Sequence, residues 1–543
     1  MNKKLSVALA QLDLFVGDVK GNAIKIIDYC EKARDVLKAD LVVFPELALS
    51  GYPPEDLLFH SGYRRRINDS LSQIKNEVHG IAVLFGFPEY VEDDIYNSCA
   101  VYFNGDELAS YRKHLLPNYS VFDEQRYFKA GTNPSVFKIK GIKVGLNICE
   151  DVWESFPALK AKEAGAEILI AINGSPYEIH CQTKREDKIR KRTKEIEIPI
   201  VYLNLVGGQD ELVFDGASFV MDVKGKVCFR ASPFKEIFQK VDFKITESGV
   251  IPEVSNIEAV YPDEQSVYEA LVCGTRDYIV KNNFPGVILG LSGGIDSALT
   301  LAIACDSIGA KNVRAVMMPF KHTSTISKED AAEQASMLGV NYDILPINTM
   351  YDAFSEQLRP IFSGKKQDVT EENIQARCRG LMLMSISNKT GSMLLTTGNK
   401  SEMAVGYATL YGDMAGGFAP LKDCNKTLVY RLAHYRNSIG MAIPERVISK
   451  EPSAELRENQ KDSDSLPPYE ILDPILDAFI EKNLSVVEIV KLGYDRDVVI
   501  KILEMVKRNE YKRRQTPPGI RISGRAFGRD WRYPITSHYS FPE

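Results

Sequence analysis

The stretch Leu289-Gly290-Leu291-Ser292-Gly293-Gly294-Ile295-Asp296-Ser297 decides the fold of the second half of the chain. An apolar run at 287–291 predicts a buried strand, and a second one at 298–304 predicts a helix with at least one buried face. Glycines let backbone N–H groups come close to an anion, and the helix N-terminus adds a favourable partial charge. Strand, glycine-rich turn and helix together predict a phosphate-binding loop.

The acidic residue of this loop, Asp296, needs an explanation because a carboxylate repels phosphate. A Mg²⁺ ion bound by Asp296 and bridging phosphate oxygens removes the conflict. The ordinary alternative is a strand-to-helix turn that only requires small residues. No Lys-Ser or Lys-Thr follows the glycines, which excludes a Walker A loop. The stretch instead resembles the pyrophosphate loop of the N-type ATP pyrophosphatases, which cleave ATP between the α and β phosphates and adenylate a carboxyl or carbonyl group.

The bulk composition describes an ordinary globular protein of more than one domain. The chain has 543 residues, of which 44% are hydrophobic and 26% charged, with a net charge of −6. This charge gives no general attraction to nucleic acid or to membranes, so neither is expected as a partner. The nine cysteines form no C-x-x-C pair, which favours a reducing, cytoplasmic location. The start of the chain mimics a signal peptide, but its apolar run is short and predicts a first core strand instead. No apolar run is long enough to span a bilayer.

The order of predicted elements indicates an α/β protein with two domains. Short apolar strands alternate with helices over residues 1–247, and this order favours chemistry at strand ends. The next residues, 248–263, are polar and irregular and are predicted to be a linker. Residues 264–543 contain the phosphate loop and form the second predicted domain, with a parallel, Rossmann-like sheet.

Three residues of the first half, each at or near the end of an apolar strand, could act together. Glu46 follows a strand that Pro45 terminates, Lys113 lies in a basic stretch, and Cys149 ends a strand. A thiol becomes a nucleophile only as thiolate, which a carboxylate base can generate, and a lysine can stabilise charge on the attacked carbonyl. Taken singly, each residue has an ordinary explanation as a solvated charge or an inert core cysteine.

The local sequences around these residues favour the catalytic interpretation. Phe44-Pro45-Glu46-Leu47, Arg112-Lys113 and Asn147-Ile148-Cys149-Glu150-Asp151 together resemble the catalytic stretches of the nitrilase, or carbon–nitrogen hydrolase, superfamily over residues 4–245. The resemblance implies an α-β-β-α sandwich with Cys149 as nucleophile, Glu46 as general base and Lys113 as oxyanion stabiliser. It also implies that Glu124 orients Lys113, and that members joined to an ATP-using domain hydrolyse glutamine. The implied glutamine contacts are Tyr119, Glu150, Ser175 and Cys181.

One position departs from the pattern of related sequences. Those sequences often carry Gly-Lys or Gly-Arg where this chain has His180-Cys181, with Lys184 and Arg185 further on. Which residue binds the α-carboxylate of glutamine is therefore left open.

The second half carries further polar segments after its strands. Residues 321–328 are rich in hydroxyls and predict a mobile loop, with Ser327 as cap of the following helix. Residues 358–369 also read as a loop. Glu402 follows a predicted strand at 393–397, where ligands bind in open α/β sheets, and a carboxylate there could share the Mg²⁺ of Asp296. The ordinary alternative is a solvated loop glutamate.

Six motifs of the second half resemble the NAD synthetases over residues 260–540. They are SGGIDS, Asn373-x-x-x-Arg377, Thr397-Gly398-Asn399-Lys400-Ser401-Glu402, Tyr411-Gly412-Asp413, Pro452-Ser453-Ala454-Glu455-Leu456 and Tyr511-Lys512-Arg513. The resemblance implies that ATP is bound by Ser292, Gly293, Gly294, Ile295, Asp296, Ser297, Thr397 and Lys426. It implies deamido-NAD contacts from Asn373, Arg377, Glu402, Tyr407, Asp413 and Lys512, and Mg²⁺ as a cofactor held by Asp296 and Glu402.

Both halves together resemble the glutamine-dependent members of the NAD synthetase family. The implied substrates are ATP, deamido-NAD⁺ and L-glutamine, and the implied enzyme is a carbon–nitrogen ligase. Ammonia must pass from one site to the other in an enclosed passage, which favours a homo-oligomer. Two alternatives stay open at this point. One is an enzyme that adenylates another carboxylate, and the other is an amidase whose second domain only senses a nucleotide.

Overall fold

A computed structural model describes residues 4–247, 249–458 and 460–541 of the chain. The chain divides into two compact units. The first contains residues up to 209 and Val213–Tyr261, and the second contains Asp210–Leu212 and the residues from 262 onward. None of the helices in the described ranges is long and apolar enough to cross a lipid bilayer.

The first part of the chain is built mainly of short strands. They are β1 Lys4–Gln11, β2 Leu41–Val43, β3 Ala82–Val91, β4 Asp94–Phe103, β5 Asp106–Arg112, β6 Val136–Ile139, β7 Ile142–Ile148, β8 Ile168–Asn173, β9 Ile200–Asn204, β10 Val206–Gln209, β11 Leu212–Asp215, β12 Phe219–Met221, β13 Val227–Arg230, β14 Ile237–Thr246 and β15 Gly249–Pro252. The helices are α1 Val19–Asp35, α2 Ser61–Glu77, α3 Glu150–Trp153, α4 Ser155–Glu163 and α5 Cys181–Ile196, with 3₁₀ turns at Glu55–Phe59 and Glu124–Arg126.

Two sheets pack face to face in this unit. One has seven strands in the order β15-β14-β1-β2-β3-β4-β5, and the other has six in the order β13-β12-β9-β8-β7-β6. Alternate residues of β1, such as Leu5, Val7 and Leu9, share one core cluster with residues of β7 and β8 on the opposite sheet. Helices α3–α5 cover the outer face of the six-stranded sheet through a second cluster. The predicted α-β-β-α sandwich is confirmed.

The parallel strands at the centre of each sheet position the catalytic candidates. β1, β2 and β3 are parallel to one another, as are β7, β8 and β9. Glu46 lies just after β2, and Cys149 directly follows β7. Lys113 directly follows β5, which runs antiparallel to β4. Carboxyl ends of parallel strands meet at one edge of a sheet, which is where α/β proteins bind ligands.

The second unit combines a small parallel sheet with many helices. Its elements are α6 Asp263–Lys281, β16 Val287–Gly290, α7 Ile295–Ile308, β17 Val313–Met317, α8 Thr325–Leu338, β18 Asn341–Ile344, α9 Asn348–Phe362, α10 Val369–Thr390, β19 Met393–Leu394, α11 Lys400–Val405, α12 Lys426–Ser438, α13 Glu445–Ser449, α14 Tyr469–Ile480, α15 Val486–Lys491, α16 Arg496–Arg508 and α17 Glu510–Arg513. The four strands lie in the order β18-β17-β16-β19, all parallel, as predicted. The C-terminal helices have an apolar cluster of their own.

Three local expectations differ from the structure. Part of the predicted linker 248–263 is the strand β15, which pairs with β14 and so satisfies its backbone groups. Helix α8 begins inside the predicted loop 321–328, because the Ser324 hydroxyl, not that of Ser327, accepts the N–H that caps it. Helix α9 continues to Phe362 through Pro360, so only 363–368 of the predicted loop 358–369 lies outside helices.

Candidate active sites

The nucleophile candidate Cys149 occupies a sharp turn between β7 and α3. Its backbone has φ 45° and ψ −102°, a region that non-glycine residues rarely adopt and that is common at functional sites. The turn is held because the Cys149 N–H donates to the Ile172 carbonyl at 2.9 Å. Burial and the nearby Glu46 carboxylate raise the pKa of the Cys149 thiol well above its ordinary value, and Lys113 opposes them. The thiol therefore needs a base before it can attack.

A buried lysine joins the two predicted catalytic glutamates. Lys113 Nζ donates to Glu46 Oε1 and to Glu124 Oε1, each at 2.8 Å. All three residues are buried, with at most 4% of their surface exposed. Burial by itself lowers the pKa of Lys113, but the two carboxylates outweigh it and the pKa lies well above its ordinary value. Burial raises the pKa of Glu124 to about 7. Lys113 thus stays charged inside the unit.

Three further residues fix these carboxylates, and the sequence reasoning missed them. Glu46 accepts from Asn97 Nδ2 at 2.8 Å and from the Gly174 N–H at 2.6 Å. The Tyr52 hydroxyl donates to Glu124 Oε1 at 3.0 Å. Buried carboxylates require such donors, since a buried charge without partners is costly. No local pattern marks these residues, because their partners lie far away along the chain.

Asp151, quoted in a motif but given no role, connects the chain after Cys149 with the chain after Lys113. Its carboxylate accepts the N–H groups of His114 at 3.1 Å and Leu115 at 2.8 Å, and the Tyr111 hydroxyl at 2.9 Å. Burial raises the pKa of Asp151 to about 7. One buried carboxylate therefore holds the segments of the nucleophile and of the lysine against each other.

Each of the four predicted glutamine contacts has a side-chain partner. The Tyr119 hydroxyl donates to both oxygens of Glu150, at 3.1 and 3.0 Å. Ser175 Oγ accepts from Arg185 Nε at 3.2 Å, and Cys181 Sγ lies 3.6 Å from Asp215 Oδ2.

Both cations near Cys181, Lys184 and Arg185, already have carboxylate partners. Arg185 is fully buried and donates to both oxygens of Asp215, at 2.7 and 2.8 Å. It also donates to the Ser175 and Pro176 carbonyls. Lys184 forms an ion pair with Glu178. Arg185 consequently shapes the segment that carries Ser175.

In the second unit, serine hydroxyls of the candidate phosphate loop form hydrogen bonds within the loop. Ser297 Oγ donates to the Gly294 carbonyl at 2.9 Å and lies 3.1 Å from Ser292 Oγ. Gly293 has φ +80°, and a Cβ at this position would lie 2.3 Å from the Ser327 carbonyl oxygen. Only glycine fits this close approach of the loop to helix α8.

Behind the loop, Lys426 lies between the two predicted metal carboxylates. Lys426 Nζ donates to Asp296 Oδ2 at 2.5 Å and to Glu402 Oε1 at 3.0 Å. Burial raises the pKa of Glu402 to about 7, with Lys426 opposing and Asp296 adding to the shift. Asn399, quoted in a motif but given no role, caps α11 and donates to Asp296 Oδ1 at 2.9 Å. Within the described ranges no group of three or more His, Cys, Asp or Glu side chains could hold a metal.

A cavity of about 560 Å³ collects most of the residues predicted for the second site. Its lining includes Ser292, Gly294, Ile295, Asp296, Ser297, Asn373, Thr397, Glu402, Tyr407, Asp413, Lys426 and Lys512. Two predicted residues, Gly293 and Arg377, do not line it. Arg377 is exposed, and its Nε donates to the Leu410 carbonyl at 3.2 Å.

One side of this cavity is organised around the loop 406–413. Lys512 Nζ donates to the Gly406 and Ala408 carbonyls at 2.8 and 2.7 Å. Thr409 donates its N–H to Asp413 at 2.6 Å and its hydroxyl to Asn373 at 2.7 Å. Burial lowers the pKa of Lys512 and raises that of Asp413. Asn373, Asp413 and Lys512, far apart in sequence, thus meet at one loop.

Comparisons with known proteins match both halves of the chain. The family described as carbon-nitrogen hydrolase matches residues 6–248, and the family described as NAD synthase matches residues 267–516. The glutamine-dependent NAD(+) synthetase of Acinetobacter baylyi is 48% identical over 98% of this chain and 99% of its own length. That of Thermotoga maritima is 44% identical over 99% of this chain and 100% of its own length.

Solved structures show the same fold over the whole chain. The glutamine-dependent NAD+ synthetase of Acinetobacter baumannii in complex with ADP superposes with a TM-score of 0.81 and 45% identity, covering 100% of both chains. That of Cytophaga hutchinsonii has a TM-score of 0.83 at 21% identity, over 99% of this chain and 98% of its own, which supports the fold alone.

The fold and the two family matches together define an enzyme class in which a carbon–nitrogen hydrolase unit and an NAD synthase unit share one chain. The chain belongs to the glutamine-dependent NAD(+) synthetase family, whose members are ligases.

Proposed function

We propose that this chain converts deamido-NAD⁺, ATP, L-glutamine and water into NAD⁺, AMP, diphosphate and L-glutamate. The observation that carries the proposal is the presence of two clusters of candidate site residues in one chain. The first is Cys149 beside the buried Glu46–Lys113–Glu124 network. The second is a cavity lined by the phosphate loop and by the carboxylates of Asp296 and Glu402. A nucleotide sensor needs no such pair of carboxylates.

In the first unit, the proposed reaction is the hydrolysis of the side-chain amide of glutamine. Glu46 takes the proton of the Cys149 thiol, and the thiolate attacks the amide carbon. Lys113 stabilises the negative oxygen that forms. Glu46 returns the proton to the leaving nitrogen, the C–N bond breaks and ammonia departs. Water, deprotonated by Glu46, then attacks the thioester and releases glutamate and the free thiol.

Tyr119, Glu150, Ser175 and Cys181 are the proposed glutamine contacts. Tyr119 and Glu150 are already joined by hydrogen bonds, so they can act as one polar wall. Glu124 acts through Lys113, whose ammonium it orients. The raised pKa of the thiol supports a mechanism in which proton removal by Glu46 precedes or accompanies attack.

In the second unit, the proposed reaction is adenylation followed by amide formation. A carboxylate oxygen of the nicotinate group attacks the α-phosphorus of ATP, and the bond to the diphosphate breaks. Backbone N–H groups of residues 292–297 and the amine of Lys426 offset the charge on the departing diphosphate. Ammonia then attacks the carbonyl carbon of the adenylate, and AMP leaves. Asn373, Arg377, Tyr407, Asp413 and Lys512 are the proposed deamido-NAD contacts, and Thr397 is a further proposed ATP contact.

The donor set around Lys426 suits a magnesium ion that arrives with ATP. Mg²⁺ is usually held by one or two protein carboxylates together with substrate phosphates. Asp296 and Glu402 supply two carboxylates, and the ammonium of Lys426 between them indicates a place that favours positive charge. These two residues are the proposed Mg²⁺ ligands, and the ion would supply charge neutralisation at the phosphate oxygens.

A single reaction tests the proposed function. Purified protein is incubated with ATP, Mg²⁺, deamido-NAD⁺ and glutamine, and NAD⁺, glutamate and AMP are measured. We expect the three products in equal amounts. Glutamate without NAD⁺ would support only the first unit and would point to another acceptor, such as aspartate or xanthosine monophosphate. Absence of AMP and diphosphate would favour the sensor alternative.

The division of labour between the two units has a separate test. Cys149→Ala should abolish NAD⁺ formation from glutamine, because the nucleophile is gone, and should leave NAD⁺ formation from ammonium chloride unchanged. Cys30→Ala is the matched control, since Cys30 is a buried cysteine of α1 outside either site. Loss of both activities in Cys149→Ala would contradict the proposal.

We further propose a homo-oligomer in the cytoplasm. All nine cysteines are free thiols, which suits a reducing compartment. Light scattering coupled to size-exclusion chromatography measures the oligomeric state, and a monomer at all concentrations would contradict it.

A further inference from the structure

Four cations line the cavity of the second unit, and they differ in what neutralises them. Lys426 has two carboxylates, and Lys450 has the Glu455 carboxylate at 2.9 Å. Lys512 gives its amine to two backbone carbonyls. Arg379 forms no ion pair with any described residue, and its Nε donates to the Met318 carbonyl at 3.1 Å. The guanidinium is thus the cavity cation with the most unused hydrogen-bonding capacity.

The place of Arg379 is on the phosphate-loop side of the cavity. Met318 directly follows β17, which pairs with β16, the strand that leads into the loop. The Leu291 N–H donates to the Val316 carbonyl at 2.9 Å, so the end of β17 lies against the start of the loop. The anchor at Met318 therefore holds the guanidinium near the strand end from which the phosphate loop starts.

An unpaired guanidinium in such a place is unfavourable without a ligand. Burial lowers the pKa of Arg379 to about 10, against smaller opposing effects from Cys378, Glu455 and Asp413. The side chain nevertheless stays protonated at neutral pH. A half-buried cation without a counterion lowers the stability of the free protein, and an anionic ligand recovers that loss.

We propose that Arg379 is a nucleotide-binding residue whose guanidinium binds the phosphate groups of ATP. Guanidinium forks match phosphate oxygens in geometry and charge. The inference rests on the proposed function and adds a residue to it that the sequence motifs did not single out. Deamido-NAD⁺ also carries phosphates, and the position next to the loop favours ATP as the source.

The test compares Arg379→Gln and Arg379→Lys with the native protein and with Lys389→Gln, an exposed residue at the end of the same helix. Steady-state kinetics with ammonium chloride as nitrogen donor give the KM for ATP and for deamido-NAD⁺ separately. We expect Arg379→Gln to raise the KM for ATP about 10–100-fold, as for the loss of a charge-assisted hydrogen bond. The KM of Arg379→Lys for ATP should lie between those of the native protein and of Arg379→Gln. The KM of Lys389→Gln for ATP should equal that of the native protein.

Thermal unfolding without turnover provides the second readout. Arg379→Gln should melt at or above the native temperature in the absence of ligand, because an unpaired cation has been removed, while the rise produced by ATP should shrink. An unchanged KM and an unchanged rise with ATP would overturn the proposal, as would a larger effect on deamido-NAD⁺. If Arg379→Gln does not fold, the KM of Arg379→Lys for ATP and the rise of its melting temperature with ATP test the proposal instead. A native protein that makes no NAD⁺ would instead refute the proposed function.

Discussion

At the scale of single residues, the buried network around Lys113 makes the glutaminase reaction depend on pH. Burial raises the pKa of Glu124 to about 7. Glu124 forms its ion pair with Lys113 only when the carboxyl group of Glu124 is ionised. Ionisation is lost as the pH falls through 7, so the rate should fall on the acid side. Well below the pKa the expected fall is about tenfold per pH unit. Glutamate release measured from pH 5.5 to 8.5 checks this.

Glu124→Gln separates this cause from others. The amide of the variant cannot ionise. Its rate of glutamine hydrolysis should therefore be lower at pH 8 and should not fall further as the pH is lowered through 7. If the rate of Glu124→Gln still falls at low pH, another group causes the fall. Asp151 is the first candidate, because burial raises its pKa to about 7 as well. The ammonia-driven reaction of the second unit should show neither change.

At the scale of elements, the strand–loop–helix of residues 287–308 depends on one close approach. Gly293→Ala would place a methyl group 2.3 Å from the Ser327 carbonyl oxygen, so the loop or helix α8 must move. We expect the KM for ATP to rise at least tenfold and glutamine hydrolysis to stay at the native rate. The backbone strain alone is about 1–2 kcal/mol, too little to unfold the unit.

Gly309, at the other end of α7, provides a matched control for this variant. It has the same φ of +80°, and a Cβ there would meet nothing within 4 Å. Gly309→Ala therefore carries the backbone strain without the clash. Equal effects of both variants on the KM for ATP would show that strain, and not the contact with α8, is responsible.

At the scale of the whole molecule, two compact units with separate apolar cores should respond separately to ligands. ATP with Mg²⁺ at 100 times its Kd stabilises the unit that binds it by about 2.7 kcal/mol. Calorimetry should therefore show one transition that moves with ATP and another that does not. Gly293→Ala should suppress the movement. A single transition that shifts as a whole would show that the units unfold together.

The proposed catalytic residues could be selected from the sequence because they lie in short local patterns. Glu46, Lys113 and Cys149 each come just after a strand, and local sequence is enough to place a strand end. The phosphate loop is a continuous stretch of the same kind. Tyr52, Asn97 and Gly174 were not predictable, since Gly174 lies 128 positions from the Glu46 it contacts. Only folding brings such residues together.

The two arginines of helix α10, Arg377 and Arg379, separate what the sequence can predict from what only the tertiary structure decides. The sequence by itself determined the two units and the strand ends that carry the proposed catalytic groups. It favoured Arg377, which is exposed, whereas Arg379 lines the cavity. Residues two apart on an α-helix point about 200° apart, so only one of the two can face a given site. Which one does so depends on the face that the helix packs against β17 and the loop 406–413, and that face is decided by tertiary packing alone.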